Sequence, residues 1–143
     1  MNKNEIIAKL RPLAGKYSFS VFVLFGSFAN DSQSADSDID LAFFSKKHLS
    51  VDEEQLLYED ILELLSFEKV DLINLNSHFS HVLRNEIFSK GICIYESSKG
   101  LFEDLGIKAW FDYIDFKDFY SSNEKILKKK VASLWLMKKF FKK

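Results

Sequence analysis

Two kinds of apolar spacing alternate along the chain. The first is the dense run. Ser18 to Phe25 brings together Phe19, Val21, Phe22, Val23 and Phe25, an aromatic and β-branched composition that predicts a strand buried on both faces. Asp38–Phe44, Lys69–Leu75 and Ile92–Tyr95 read as three further strands. The second kind is helical spacing. Asn4–Arg11 places Ile6, Ile7 and Leu10 on one face, with Pro12 near its end. Ser50-x-x-Glu53 is a capping box, and it opens a helix with apolar positions at Leu56, Leu57, Ile61, Leu64 and Leu65. Ser77 or Ser80 caps a helix through Val82, Leu83, Ile87 and Phe88, with Gly91 as its C-terminal stop. Phe102, Leu105, Ala109, Tyr113, Phe116 and Tyr120 recur in steps of three and four, marking an amphipathic helix over 101–120. A last, basic helix is expected over 123–141. The order predicts an α/β (α+β) fold: a small mixed central sheet flanked by helices, with C-terminal helices.

Composition narrows this to one domain, 1–143. The 143 residues are 47% hydrophobic, enough for a core, which excludes wholesale disorder. A single proline and five glycines argue against long structureless loops. The longest uncharged run, Tyr17–Asn30, is shorter than the ~18 residues of a membrane span. Glu5 disrupts the basic region that a secretory leader needs, so the expected location is the cytoplasm. Cys93, the lone cysteine, sits in Ile92-Cys93-Ile94 and reads as a small core residue. Net charge is -1, but residues 121–143 carry eight lysines and one acid, leaving the rest of the chain at -8. A basic tail on an acidic body suits a partner-binding element or a solubilising end.

The chemistry is concentrated between the first two strands. Gly26-Ser27 is followed, after ten residues, by Asp38-Ile39-Asp40. Strand alternation sends Asp38 and Asp40 to one face and Ile39 and Leu41 to the other. Two carboxylates on one face repel unless a cation lies between them, and hard oxygen ligands suit Mg²⁺. Asp71 is the third acid, conspicuous in the apolar strand Val70-Asp71-Leu72-Ile73. Paired beside 38–44, it faces the same place. Three acids there hold two metal ions, which stabilise the attacking and leaving oxygens of displacement at phosphorus. Gly26 allows a tight turn, and the amides from Ser27 onward, at an expected helix start, suit a phosphate, as does the Ser27 hydroxyl.

These residues resemble the nucleotidyltransferase superfamily that includes DNA polymerase beta. The runs Leu24-Phe25-Gly26-Ser27-Phe28-Ala29 and Ser37-Asp38-Ile39-Asp40-Leu41 are similar to the minimal nucleotidyltransferase (MNT) branch, MntA-like. Val70-Asp71-Leu72 and Arg84-x-x-Ile87-x-x-x-Gly91-x-x-x-Tyr95-Glu96 extend the resemblance over about residues 5–96, the expected catalytic core; 100–143 would be a helical extension. The resemblance implies an antitoxin that transfers AMP from ATP to a tyrosine of a HEPN ribonuclease toxin, its hetero-oligomeric partner. It implies that Asp38 and Asp40 ligate both metals, that Asp71 helps bind the catalytic metal and activates the acceptor hydroxyl, and that Gly26 and Ser27 contact the triphosphate. The loop Phe28–Asp36 departs from many relatives in having no Lys or Arg. Lys46, Lys47 and Arg84 are candidates to compensate. That loop also motivates the alternative of an antitoxin that neutralises by binding alone. Transfer to a small molecule is a further alternative, for which the chain has little room for an acceptor domain.

The remaining candidates have plainer readings. His48, His78 and His81 lack the carboxylates or thiols that complete a metal site and read as surface or capping residues. Trp110, Phe111 and Ile114 lie off the stripe of their helix, either as core or as contacts to another chain. Leu134, Trp135, Phe140 and Phe141, interleaved with lysines, are compatible with a solvated face, nucleic acid, an acidic protein or a membrane surface.

Overall fold

The computed structural model describes residues 1–77, 80–122, 129–130 and 132–134. Its elements are α1 (Lys3–Leu10), α2 (Leu13–Lys16), β1 (Phe19–Phe25), β2 (Ile39–Ser45), α3 (Val51–Leu65), β3 (Val70–Asn74), α4 (His81–Lys90), β4 (Ile92–Glu96) and α5 (Leu101–Ser122). The strands form one sheet in the order β3-β2-β1-β4. β1 runs antiparallel to both β2 and β4, while β2 and β3 are parallel. The expected mixed sheet flanked by helices is therefore present. The helix expected over 123–141 lies largely outside the described residues; those within it that are described, 129–130 and 132–134, are helical.

The sheet is covered on both faces, which explains why β1 is apolar almost throughout. One core gathers Ile6, Leu10, Leu13, Leu57, Ile61 and Leu65 from α1–α3 onto Phe22, Leu24, Ile39, Leu41 and Phe43. The other gathers Ile87, Phe88 and Ala109 from α4 and α5 onto Val21, Val23, Phe25, Ala42 and Ile73. Phe19 joins the first core beside Phe22, three residues on, because the register with β2 slips between Phe19 and Val21. That irregularity turns the first residue of β1 over relative to strict alternation.

Local signals explain most element ends. Ser50 Oγ accepts from the Glu53 amide and Glu53 Oε1 accepts from the Ser50 amide, both at 3.1 Å, so the capping box is formed. α3 buries only Leu57, Ile61 and Leu65; Leu56 and Leu64 face solvent, which narrows the expected stripe. α2 is a short helix not anticipated from the sequence, beginning directly after Pro12. It is tied to α3 by the Tyr17 hydroxyl, which donates to Asp60 at 2.5 Å beside Lys16 Nζ at 2.7 Å. Hydrogen bonds from these two partners hold the Asp60 carboxyl below its ordinary range.

Ser80 caps α4 and Gly91 ends it, as expected, but the glycine is there for another reason. Its φ of -76° is open to any residue. A Cβ at Gly91 would lie 2.2 Å from the Ile87 carbonyl oxygen and 2.6 Å from Val23 Cγ1. Gly91 is the point where helix, strand and core come into direct contact. Gly91→Ala is expected to destabilise the fold by about 1–3 kcal/mol through overpacking, read as a lower urea midpoint at unchanged m-value.

Candidate functional site

The site is built where β1 ends and β2 begins. β1 leaves the sheet at Phe25, and Gly26 turns the chain with φ +75°, a conformation that suits glycine. A Cβ on Gly26 would lie 2.1 Å from Asp40 Oδ2 and 3.0 Å from Asp40 Cγ. The Asp40 carboxylate therefore rests on the bare α-carbon of Gly26, in space that any other residue would fill. Phe25 and Asp40 are paired in the β1–β2 register, which fixes this contact.

Residues 27–31 form a single turn in place of the expected helix start. The Ala29 and Asn30 amides donate to the Gly26 carbonyl at 3.1 and 3.4 Å, and the Ser32 amide donates to the Ser27 carbonyl at 3.0 Å. The amides of Ser27 and Phe28 open this turn and, as at any helical start, have no partner within it. Buried Phe28 and Ala29 anchor it to the core, Phe28 meeting Phe67 edge-on at 6.1 Å. Asp31, at φ +59°, ends it and takes an ion pair from Lys3 at 2.9 Å. An anion over Ser27 would thus meet a braced backbone.

Asp40 and Asp71 stand directly opposite each other in the parallel β2–β3 register. Their α-carbons are about 4.8 Å apart, the ordinary strand spacing. Both follow the alternation that sends Ala42 and Ile73 to the α4/α5 core, so the two acids share a face. Asp38 is placed differently from expectation. β2 begins at Ile39, so Asp38 lies just ahead of the strand, exposed, and not on its pleat. Among the described residues no three His, Cys, Asp or Glu side chains form a ready-made metal cluster. The fold thus brings Gly26, Asp40 and Asp71 together and leaves Asp38 at the rim.

The donor set nevertheless fits a hard divalent cation. Two half-buried carboxylates in adjacent strands, one of them resting against the bare α-carbon of Gly26, offer hard oxygen ligands. Asp38, exposed two residues before Asp40, adds a third carboxylate at the open side.

The compensating cations are not where the sequence suggested. Arg84 donates to the Leu75 carbonyl at 2.5 Å and its guanidinium lies 5.1 Å from the Phe44 ring centre. Burial lowers its pKa from the ordinary value. Phe44 is about 13 Å along β2 from Asp40, and exposed Lys46 and Lys47 are farther still. Lys69 is the basic residue at the acidic end. The Ile39 amide donates to its carbonyl at 2.8 Å, placing it alongside Asp38, and its ammonium is 3.7 Å from Asp36. Its place directly before Val70-Asp71 is the sequence signal for this position. Gln33 is a second missed residue: among the described residues its side-chain oxygen is buried without a hydrogen-bond partner inside that loop.

The other candidates fall away from this centre. His81 packs its ring 5.7 Å from Phe116, His48 is exposed, and His78 lies outside the described residues. Cys93 is half-buried, with burial pushing its thiol up to about 11, so it is protonated at neutral pH. Trp110 and Phe111 are exposed on α5, and Ile114 is partly buried. No helix among the described residues is long and apolar enough to cross a membrane.

A glycine turn at the end of β1, with Asp40 early in β2 and Asp71 opposite it on parallel β3, lies in a four-stranded mixed sheet of nucleotidyltransferase fold. The chain belongs to the polymerase beta nucleotidyltransferase family, whose model matches residues 8–100. Among solved structures it is similar to a chain of a toxin–antitoxin crystallised with AMP-PNP, with a TM-score of 0.68 and 24% identity over 92% of this chain and 99% of that one. It is also similar to a chain of a complex between a tri-AMPylated Shewanella oneidensis HEPN toxin and an MNT antitoxin, with a TM-score of 0.61 and 23% identity over 90% of this chain and 94% of that one. A third similar chain, also from Shewanella oneidensis, has a TM-score of 0.63 and 19% identity over 92% and 99% of the two chains. A comparison with curated proteins finds no match.

Proposed function

We propose that this protein is the antitoxin of a HEPN-type ribonuclease toxin and silences it by transferring AMP from ATP to a toxin tyrosine. The observation that carries the transfer chemistry is the convergence of Gly26, Asp40 and Asp71 at one end of the sheet, in a chain of the polymerase beta nucleotidyltransferase family. The partner is supported by similarity in fold, over nearly the whole length, to chains from toxin–antitoxin complexes, one with an AMPylated toxin.

In this reading Asp38, Asp40 and Asp71 hold two Mg²⁺ ions, which when bound neutralise charge on the triphosphate and polarise the reacting oxygens. The Ser27 and Phe28 amides and the Ser27 hydroxyl take triphosphate oxygens. Lys69 adds positive charge at the rim. Asp71 accepts the phenolic proton as the tyrosine oxygen bonds to the α-phosphorus. The bond from that phosphorus to the bridging oxygen breaks, and pyrophosphate leaves. The catalytic core is 5–96, and 100–143 serves the partner. A protein acceptor positions its own hydroxyl, so a small catalytic domain suffices. Use of ATP and a ribonuclease partner is in keeping with a cytoplasmic location for the pair.

The test is intact-mass measurement of the co-expressed toxin after incubation with ATP, Mg²⁺ and this protein. The toxin is expected to gain AMP, and to gain none with EDTA or with Asp38→Asn/Asp40→Asn. An unmodified toxin that stays neutralised by the double variant would favour neutralisation by binding alone.

A further inference from the structure

The outer edge of β3 runs past Asp71, and among the described residues no strand pairs with it. The parallel ladder shows which backbone groups that edge presents. The Ile39 amide donates to the Lys69 carbonyl, and the Leu75 amide donates to the Phe43 carbonyl. Odd-numbered residues of β3 thus turn their backbone groups toward β2, and the even-numbered residues Val70, Leu72 and Asn74 turn theirs outward. The Val70 carbonyl accepts from the Tyr58 hydroxyl at 3.3 Å, as this alternation requires. Leu72 is left presenting both an amide and a carbonyl at the centre of the edge.

Along the edge runs a groove of about 330 Å³ lined by Val51, Glu54, Gln55 and Tyr58 of α3 and by Val70, Asp71 and Leu72 of β3. Its α3 wall has one sign of charge: the helix carries six acids and no lysine or arginine. Asp60 is neutralised by Lys16 and Glu53 is spent on the cap, but Glu54 faces the groove.

We propose that this edge is the docking site of the acceptor: an extended, basic segment of the protein substrate adds as a fifth strand beside β3. The proposal rests on the nucleotide-transfer reading and names how its acceptor is held. A residue opposite Asp71 on an added strand has its side chain on the same face, with Cβ atoms about 4.5–5.5 Å apart. A tyrosine there spans the one remaining strand spacing toward Asp40 and Gly26. Main-chain pairing supplies affinity without dictating sequence, and Glu54 selects basic flanks.

The test uses a fluorescein-labelled peptide with a central tyrosine flanked by alternating lysine and valine, read by anisotropy and by hydrogen exchange on the full chain. Wild type is expected to bind it, with amide protection appearing at 70–74. Leu72→Pro removes an outward amide that the β2 ladder does not use, and is expected to weaken binding at least tenfold. Glu54→Lys, an exposed-rim change independent of strand geometry, is expected to do the same. Glu86→Lys on α4, an equal change in charge at an exposed position away from this edge, is expected to leave binding within twofold. Equal losses for the two lysine variants, protection elsewhere, or no binding by wild type would overturn the proposal. So would a carbodiimide cross-link between Glu54 and a lysine of 125–143 in the free protein, which would give the groove to the chain's own tail. Edge binding intact, with no nucleotide transferred to any tyrosine, would instead remove the catalytic reading and leave the docking surface standing.

Discussion

Gly26→Ala is expected to leave a folded protein that transfers nucleotide at about one-hundredth of the wild-type rate or less. Two independent costs act at this residue. The backbone is at φ +75°, where alanine is strained by about 1–3 kcal/mol. The new methyl carbon would also start 2.1 Å from Asp40 Oδ2, so the carboxylate must rotate away or the turn must shift. Either movement displaces a ligand from a site in which an error of 1 Å costs about 10²-fold. Gly91→Ala provides the contrast. It meets similarly short contacts at ordinary φ, but against the Ile87 carbonyl and Val23 and not against a carboxylate, so its main expected effect is on stability, with kcat per folded molecule reduced far less than by Gly26→Ala. Paired measurements of urea midpoint and single-turnover rate separate the two glycines.

Asp40→Asn is expected to reduce transfer by about 10³-fold or more and to abolish the stabilisation that Mg²⁺ and nucleotide give wild type. Asp40 and Asp71 are directly opposed across a parallel pair, and like charges so placed oppose folding by about 0.2–1 kcal/mol. Neutralising one of them removes that repulsion but also a metal ligand. The informative quantity is therefore the shift in melting midpoint on adding ligand, measured from each protein's own value in EDTA. Adding Mg²⁺ and a nonhydrolysable ATP analogue should stabilise wild type and leave the variant nearly unmoved. A variant that loses both stability and activity would show Asp40 to be structural.

Much of this was legible because the relevant signals are local. The capping box at Ser50 and Glu53 needs only its own backbone. The continuous run in β1 and the alternation in β2 and β3 follow from burial on two faces and on one strand period. The placement of Asp40 opposite Asp71 followed from the expectation that the two acidic strands pair. What escaped depends on contacts made at a distance. Asp38 falls outside β2 because the ladder begins where Ile39 meets Lys69 and Val70, a register no single strand encodes. Leu56 and Leu64 look like core by spacing, yet the core meets only the Leu57–Ile61–Leu65 line of α3. Residues 27–31 carry capping residues suited to a helix, but Asp31 at positive φ stops them after one turn. Lys69 is not legible from the Gly-Ser loop because strand pairing, and not local sequence, brings it beside Asp38.

The central claim is that carboxylates from two adjacent strands share a divalent-cation site beside the Gly26 turn. Titration of Mn²⁺, as a stand-in for Mg²⁺, into the protein with a nonhydrolysable ATP analogue, followed by electron paramagnetic resonance, tests it most directly. The account predicts two protein-dependent ions per chain for wild type, and loss of both for Asp38→Asn/Asp40→Asn. Manganese uptake no greater than by the nucleotide alone, or equal uptake by the double variant, would contradict it.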